Sequence, residues 1–256
     1  MNQSLAGKRA LITGASRGIG RATAIALARA GCDVIVNYVT SEAAAKETAD
    51  AIKDLGRQAI VVRADMSEPE DVLQMMELVG KHVESLEILV SNAASGGFRN
   101  LIDAKVVHFD AAMHTNVRSL MLLVQAALPL MKKSTGTKKV VALSSHGSYR
   151  SLPAYGLIGA SKAAIESMIR HFAMELGSQG FNFNIVLAGL VPTDSTSLVP
   201  EADKMFELMN EKLFIQRPRT LTPEDVANAV KFLCLPESDL IQGHTLIIDG
   251  GAALGV

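Results

Sequence analysis

Ala10-Leu11-Ile12-Thr13-Gly14-Ala15-Ser16-Arg17-Gly18-Ile19-Gly20 decides the fold. Ala10–Thr13 is a short apolar run ended by glycine. Arg21–Ala30 follows with apolar residues at helical spacing. A strand, a glycine turn and a helix in that order form a nucleotide-binding βα unit. Gly14 permits the tight turn, Gly18 lets backbone approach a pyrophosphate, and Gly20 lets helix pack on strand. The helix N-terminus offers free N–H groups and partial positive charge to phosphates. Gly14, Ser16, Arg17, Gly18, Ile19 and Gly20 are therefore candidate cofactor residues. A glycine motif alone is a weak sign. Its place after a strand and before a helix gives it weight.

The rest of the chain repeats this alternation. Val34–Asn37, Ala59–Val62, Ile88–Ser91, Val140–Ser144, Asn184–Leu187 and Thr245–Ile248 read as further strands. Arg21–Ala30, Ser41–Leu55, Pro69–Val83, Ala104–Met131, Ser161–Leu176 and Pro223–Leu233 read as helices. Ser67 precedes Glu70 by three as a capping box would, and Thr222-Pro223 starts the last helix with proline at its first position. The expected fold is α/β, a Rossmann-like doubly wound parallel sheet. It has seven strands, helices on both faces and a single domain spanning 1–256. Ligands bind such sheets at the carboxyl ends of the strands, near the switch in strand order.

Composition excludes several classes. The 256 residues are 48% hydrophobic, enough for a full core. Lys and Arg number 25 against 26 acidic residues, so no basic surface points to nucleic acid. Cys32 and Cys234 fit no metal spacing, no metal site is expected, and both thiols read as buried and free. The N-terminus lacks a signal-peptide pattern, and no apolar run reaches the ~18 residues of a membrane span. A cytoplasmic protein without membrane contact is the expectation.

The end of the second strand bears on cofactor choice. An acidic residue there binds the ribose 2′-OH and repels a 2′-phosphate. The strand ends Val36-Asn37-Tyr38-Val39-Thr40-Ser41, with no acid, and Asp33 lies at its beginning. Arg17 in the glycine loop is available to a phosphate. Arg17 and Asn37 thus favour NADPH.

TGASRGIG, Asp65-Met66 after the third strand, Asn92-Ala93-Ala94 after the fourth, Asn116, Ser145, Lys162 and Asp249-Gly250-Gly251 together resemble the short-chain dehydrogenase/reductase family. The resemblance covers essentially the whole chain. It implies that Asp65 and Met66 contact adenine, and that Asn92, Ala93 and Ala94 line the cofactor ribose side. It places Leu190, Val191 and Thr193 by the nicotinamide amide. Ser91 and Ala188 depart from the family pattern without removing a reacting group.

A third departure is larger. Ordinary members carry tyrosine, three residues, lysine; here Ile158 stands four places before Lys162, and isoleucine donates no proton. The nearest tyrosine, Tyr155, precedes Lys162 by seven. On a continuous helix a separation of seven keeps the same side but is ~10.5 Å along the axis, against ~6 Å for four. Pro153 and Gly156 suggest that this region begins as loop. The displacement suits reduction of a 2-enoyl thioester. Hydride goes to C3, whereas negative charge gathers on the oxygen at C1, two carbons further away.

The Tyr-six-residues-Lys spacing resembles bacterial enoyl-acyl-carrier-protein reductases, and among them the NADPH-using enoyl reductase III type. Asn92–Gly96 with Arg99, Ser144–Arg150 and Gly159–Ala164 carry that likeness. It implies that Tyr155 hydrogen-bonds the enolate oxygen. Lys162 would hold the nicotinamide ribose and favour the anion by its charge. Ser145 would line the carbonyl site, and Asn116 would hold a relay water. Ser95 and Phe98 are further substrate candidates. Tyr149 lies too far from Lys162 in sequence to take Tyr155's role simply.

Residues 193–218 read as an apolar insertion containing Leu198, Val199, Met205, Phe206, Leu208, Met209, Leu213 and Phe214. It is either a lid for a flexible acyl chain or an amphipathic helix covering the sheet end. Arg99, Lys204, Lys212, Arg217 and Arg219 are candidates to meet an acyl carrier protein or a CoA phosphate, though each also reads as an ordinary solvated charge. The resemblance implies a homotetramer through the two long helices. The sequence therefore favours an NADPH-dependent enoyl-thioester reductase of fatty-acid synthesis. A ketoreductase or alcohol dehydrogenase is the first alternative, and a non-catalytic NADPH-binding protein the second.

Overall fold

The computed structural model describes residues 4–194, 196, 206–207 and 219–254. All seven expected strands are present: β1 Arg9–Ile12, β2 Asp33–Tyr38, β3 Ala59–Arg63, β4 Ile88–Ser91, β5 Lys138–Ser145, β6 Phe181–Ala188 and β7 Thr245–Ile248. They form one parallel sheet in the order β3-β2-β1-β4-β5-β6-β7. The order reverses at β1, which pairs β2 on one side and β4 on the other. The glycine loop leaves β1 at this switch point, where doubly wound sheets open a crevice.

Why the strands read as unbroken apolar runs is visible in the core. Side chains alternate along a strand, so Val34 and Val36 enter one layer and Ile35 the other. The first layer packs α1 (Gly18–Arg29), α2 (Glu42–Lys53) and the last helix, α7 (Pro223–Cys234), through Leu27, Ile52 and Val230. The second packs α3 (Pro69–His82), α5 (Ser119–Met131) and α6 (Gly156–Leu176) through Met75, Leu123 and Ile169. Both faces are covered, so both parities of each central strand must be apolar.

Three local expectations change. The helix expected over Ala104–Met131 is α4 (Val106–Met113), one π-helical turn (His114–Arg118) and then α5. Ser67 does not cap α3. Its N–H and hydroxyl both donate to Asp65 Oδ1, and Glu68 takes the cap position. α6 begins at Gly156 instead of Ser161. By contrast, Thr222 caps α7 in a full capping box with Asp225. Cys32 and Cys234 are free and buried, and burial raises both thiols well above their ordinary range. Among the described residues no helix is long and apolar enough to cross a membrane. Of the 193–218 insertion, Phe206 is described, whereas the other seven apolar residues of the expected lid, with Lys204, Lys212 and Arg217, lie outside the described residues.

Candidate active site

The glycine loop is held from both sides by asparagines. Asn37, 2% exposed, accepts from the Gly14 N–H at 3.1 Å and donates to the Ala64 carbonyl at 3.1 Å. Asn92 donates to the carbonyls of Thr13 at 2.9 Å and Gly14 at 3.1 Å. The Thr13 hydroxyl accepts from the N–H groups of Asn92 and Ala93 at 3.0 Å. The side chains of Asn37 and Asn92 are thus spent on the loop and act on a ligand through it. Gly20 is required by contact: a Cβ there would lie 2.6 Å from Asn92 Nδ2.

The loop fits a pyrophosphate. No side chain caps α1, and its first turn holds no acidic residue, so its N-terminal N–H groups face the crevice. Thr193 closes the opposite side, with its Cγ2 3.5 Å from where a Gly18 Cβ would be. Arg17 pairs with Asp194 at 3.1 Å, both side chains more than 60% exposed. Asp65 accepts from Ser67 and Met66 is buried, so the Asp65 carboxylate anchors its own turn and the Met66 side chain belongs to the core. Val191 is buried beside half-buried Leu190.

The second half of the site lies on β5 and α6. The Tyr155 hydroxyl and Ser145 Oγ are 2.9 Å apart. Tyr155 stands at the N-cap of α6 with φ of −105° and ψ of 2°, its carbonyl accepts from the Gly159 N–H at 2.8 Å, and the helix proper runs from Gly156 through Lys162. The stretch before Gly156 is non-helical, as expected from Pro153 and Gly156. Lys162, 7% exposed, donates to the Leu143 carbonyl at 2.9 Å. One strand thus holds both groups, Lys162 through Leu143 and Tyr155 through Ser145. Burial pulls the Lys162 ammonium down to about 8, and the Glu166 carboxylate partly opposes this. Burial raises the Tyr155 phenol, and the Ser145 hydrogen bond offsets only part of that.

The loop after β4 closes the site. Phe98 packs on Tyr155 with ring centroids 5.9 Å apart. Asn116, 1% exposed, accepts from the Ser95 N–H at 2.8 Å and donates to the Ser95 carbonyl and Ser161 Oγ, each at 2.9 Å. Its side chain braces this loop against α6. Ser95 itself is exposed. Arg99 lies against His108 at 3.0 Å, and Arg219 pairs with Asp225 at 2.5 Å.

Several residues of this site were not singled out from sequence. Gly147 and Gly159 touch. A Cβ on Gly147 would stand within 3.0 Å of Cδ1 and Cε1 of Tyr155, and one on Gly159 within 3.0 Å of the Gly147 carbonyl oxygen. Ala154, with φ of 57°, sits in the left-handed region just before Tyr155. Ser144 donates to Glu166 at 2.5 Å, tying α6 to β5 between Leu143 and Ser145. Ser144, Gly147 and Gly159 lie in the stretches that carry the enoyl-reductase likeness, and Glu166 stands four residues after Lys162; these were the sequence signals available for them.

An oxidoreductase-type crevice with a nicotinamide-nucleotide loop at one end and a Ser–Tyr–Lys group at the other defines the class. The chain belongs to the short-chain dehydrogenase/reductase family. The family model described as enoyl-(acyl carrier protein) reductase matches residues 14–253. The chain is 37% identical over 246 residues to a 1-cyclohexenylcarbonyl-CoA reductase of Streptomyces collinus, covering 95% of this chain and 86% of that one. It is 32% identical over 259 residues to a versicolorin reductase of Emericella nidulans, covering 98% and 97%. A short-chain dehydrogenase from Burkholderia cenocepacia J2315, solved in complex with NADP, superimposes with a TM-score of 0.87 at 35% identity, covering 98% and 99%. The protein is an oxidoreductase with a nicotinamide cofactor site.

Proposed function

We propose that the protein reduces the 2,3 double bond of trans-2-enoyl thioesters with NADPH. The observation that carries this reading is the pairing of Tyr155 with Ser145 at one end of the α6 face while Lys162 is held at the other. A bound NADPH supplies the hydride. Tyr155 and Ser145 donate to the thioester oxygen, where charge develops two carbons from the reduced carbon. A phenol raised by burial stays protonated at neutral pH and can therefore donate. Lys162 would hold the nicotinamide ribose and add positive charge nearby. Phe98 covers the Tyr155 ring and excludes water from this side.

Arg17 and the acid-free end of β2 support NADPH over NADH, as does the NADP bound to the Burkholderia protein. The Streptomyces relative's name describes a CoA thioester conjugated to a ring double bond, which supports the substrate class and a CoA or acyl-carrier thioester. Exposed Val106, Val107 and Phe109 on α4 support a homotetramer assembled through α4–α5 and α6. We place the enzyme in the cytoplasm, in fatty-acid or specialised metabolism.

The ketoreductase reading draws on the same Ser145–Tyr155 hydrogen bond, which also suits a ketone oxygen, and on the versicolorin reductase likeness. Offering a trans-2-enoyl-CoA and a 3-ketoacyl-CoA of equal length in parallel separates the two. The enoyl reading expects turnover of the first alone. Turnover of the second alone returns the chain to the ketoreductases, and NADPH binding without any turnover favours a different substrate class or the non-catalytic alternative.

A further inference from the structure

We propose that His146 and Asp249 form a positioning pair that seats Ser145 and Tyr155 for catalysis. The inference rests on those two hydroxyls meeting the substrate oxygen, and it holds for an enoyl or a keto substrate. Strand register brings the pair together. Ser145 of β5 pairs with Ala188 of β6, and Ala188 pairs with Ile248 of β7. The next residues are His146, Gly189 and Asp249, one step beyond the ends of the three strands. Neighbouring strands lie ~4.8 Å apart, so side chains of the outer two meet only where the middle one is bare. Gly189 supplies that gap. A Cβ there would stand 2.9 Å from Asp249 Cβ. His146 Nε2 lies 3.2 Å from Asp249 Oδ2, and the two residues are 8% and 7% exposed.

Asp249 is the fixed end of the pair. The Gly189 N–H donates to the Ile248 carbonyl at 2.8 Å, and the Asp249 carboxylate accepts from the N–H groups of Gly251 at 2.8 Å and Ala253 at 2.9 Å. His146 is the end that acts on the site. It is joined through the chain to Ser145 on one side and, on the other, to Gly147, which backs the Tyr155 ring. Its carbonyl accepts from the N–H groups of Tyr149 at 3.2 Å and Arg150 at 2.9 Å, which closes the turn. The Arg150 guanidinium donates to the Ala253 carbonyl, a second tie between the same two turns. Burial pushes the His146 imidazole below its ordinary range, Asp249 opposes this and Arg150 adds to it, so the ring is neutral at neutral pH. The Tyr149 hydroxyl, 3.4 Å from Nδ1, suits the tautomer with the proton on Nε2, facing Asp249. Among the described residues nothing else offers Nε2 a partner. The carboxylate thus fixes the ring, and the ring fixes the turn on which the Ser145–Tyr155 hydrogen bond depends.

The test compares His146→Leu, which fills the space without a donor, with His146→Gln, which keeps an N–H at the reach of Nε2. With trans-2-enoyl-CoA, His146→Leu should lower kcat by about 10-fold or more, since misplacing a reacting group by about 1 Å costs about 10²-fold. KM and the NADPH Kd should stay near native, and His146→Gln should restore most of kcat. NMR of protein isotope-labelled at the hydroxyl-bearing carbon of its tyrosines reads the same contact without turnover. The Tyr155 signal, assigned by its loss in Tyr155→Phe, should move in His146→Leu and return in His146→Gln, while that of Tyr38 stays in place. A native kcat and an unmoved Tyr155 signal in His146→Leu would overturn the inference. Equal losses of kcat in both variants, with NADPH binding lost in step, would also overturn it, because they mark a merely structural residue. Native turnover of the keto substrate alone would remove the enoyl reading, and the same comparison run with that substrate would still decide the pairing.

Discussion

Gly147→Ala should cripple turnover without emptying the cofactor site. The added methyl would fall within 3.0 Å of two Tyr155 ring carbons, whereas ordinary contact begins at 3.4 Å. The ring must therefore retreat by about 1 Å to reach normal carbon–carbon separation. It cannot retreat freely, because Phe98 packs on it and Gly159 lies directly behind Gly147. The 2.9 Å Ser145–Tyr155 hydrogen bond then stretches past useful length. Misplacing a reacting group by about 1 Å costs about 10²-fold in kcat. Overpacking adds a stability loss of about 1–3 kcal/mol. The assay is steady-state NADPH oxidation with a trans-2-enoyl-CoA, beside thermal melting and NADPH titration. Gly80→Ala is the control, because a Cβ on Gly80 in α3 meets nothing within 4 Å. It should leave kcat unchanged and stabilise the helix by about 0.5–1 kcal/mol. A Gly147→Ala enzyme with kcat within about threefold of native would refute the argument that this glycine seats the tyrosine.

The remaining predictions concern charge. Because kcat/KM reports the free enzyme, it should fall as pH rises through about 8, where Lys162 loses its proton. Glu166→Gln removes the charge that raises Lys162 and should move this alkaline limb to lower pH, while the amide keeps the Ser144 contact; an unmoved limb would show that another group titrates. Stability has the opposite slope. Lys162 is lowered from an ordinary 10.5 to about 8, so between those values the unfolded chain binds the extra proton and this group's contribution to stability rises with pH. Urea titrations at pH values on either side of that window, comparing native protein with Lys162→Met, check the sign. Arg17→Ala should raise the NADPH Kd by about 10-fold and leave NADH unaffected, as expected for loss of one charge-assisted phosphate contact. Equal losses with both cofactors would place Arg17 at the pyrophosphate instead.

The fold was legible because each signal was local and repeated. The seven apolar runs and the glycine turn after the first of them each carried their own periodicity, and the two-sided burial of Val34, Ile35 and Val36 explains why the runs show no polar alternation. Helix details were less legible. The π turn at His114–Arg118 has no mark in the sequence, because apolar spacing of three and four continues across it. Ser67 matched a capping pattern but was captured by Asp65 two residues away, a competing local bond of equal reach. At the site, residue types were readable and contacts were not. Asn37 and Asn92 are expected at the cofactor and Asn116 at a relay water, and their amides also bond backbone groups 21 to 79 residues distant, contacts that spacing does not show. Gly147 and Gly159 both lie in stretches that carried the enoyl-reductase likeness, but they touch because β5 and α6 converge, so their contact was not readable before the fold.

The most direct test uses NADPH carrying deuterium at its transferable position, with trans-2-enoyl-CoA and 3-ketoacyl-CoA offered separately to the native protein and to Tyr155→Phe. Mass spectrometry of the products reads the outcome. The account predicts saturated acyl-CoA with one deuterium at C3 and a solvent proton at C2, no reduction of the keto substrate, and loss of turnover in Tyr155→Phe with NADPH still bound. Deuterated 3-hydroxyacyl-CoA from the keto substrate, with the enoyl substrate untouched, would contradict it.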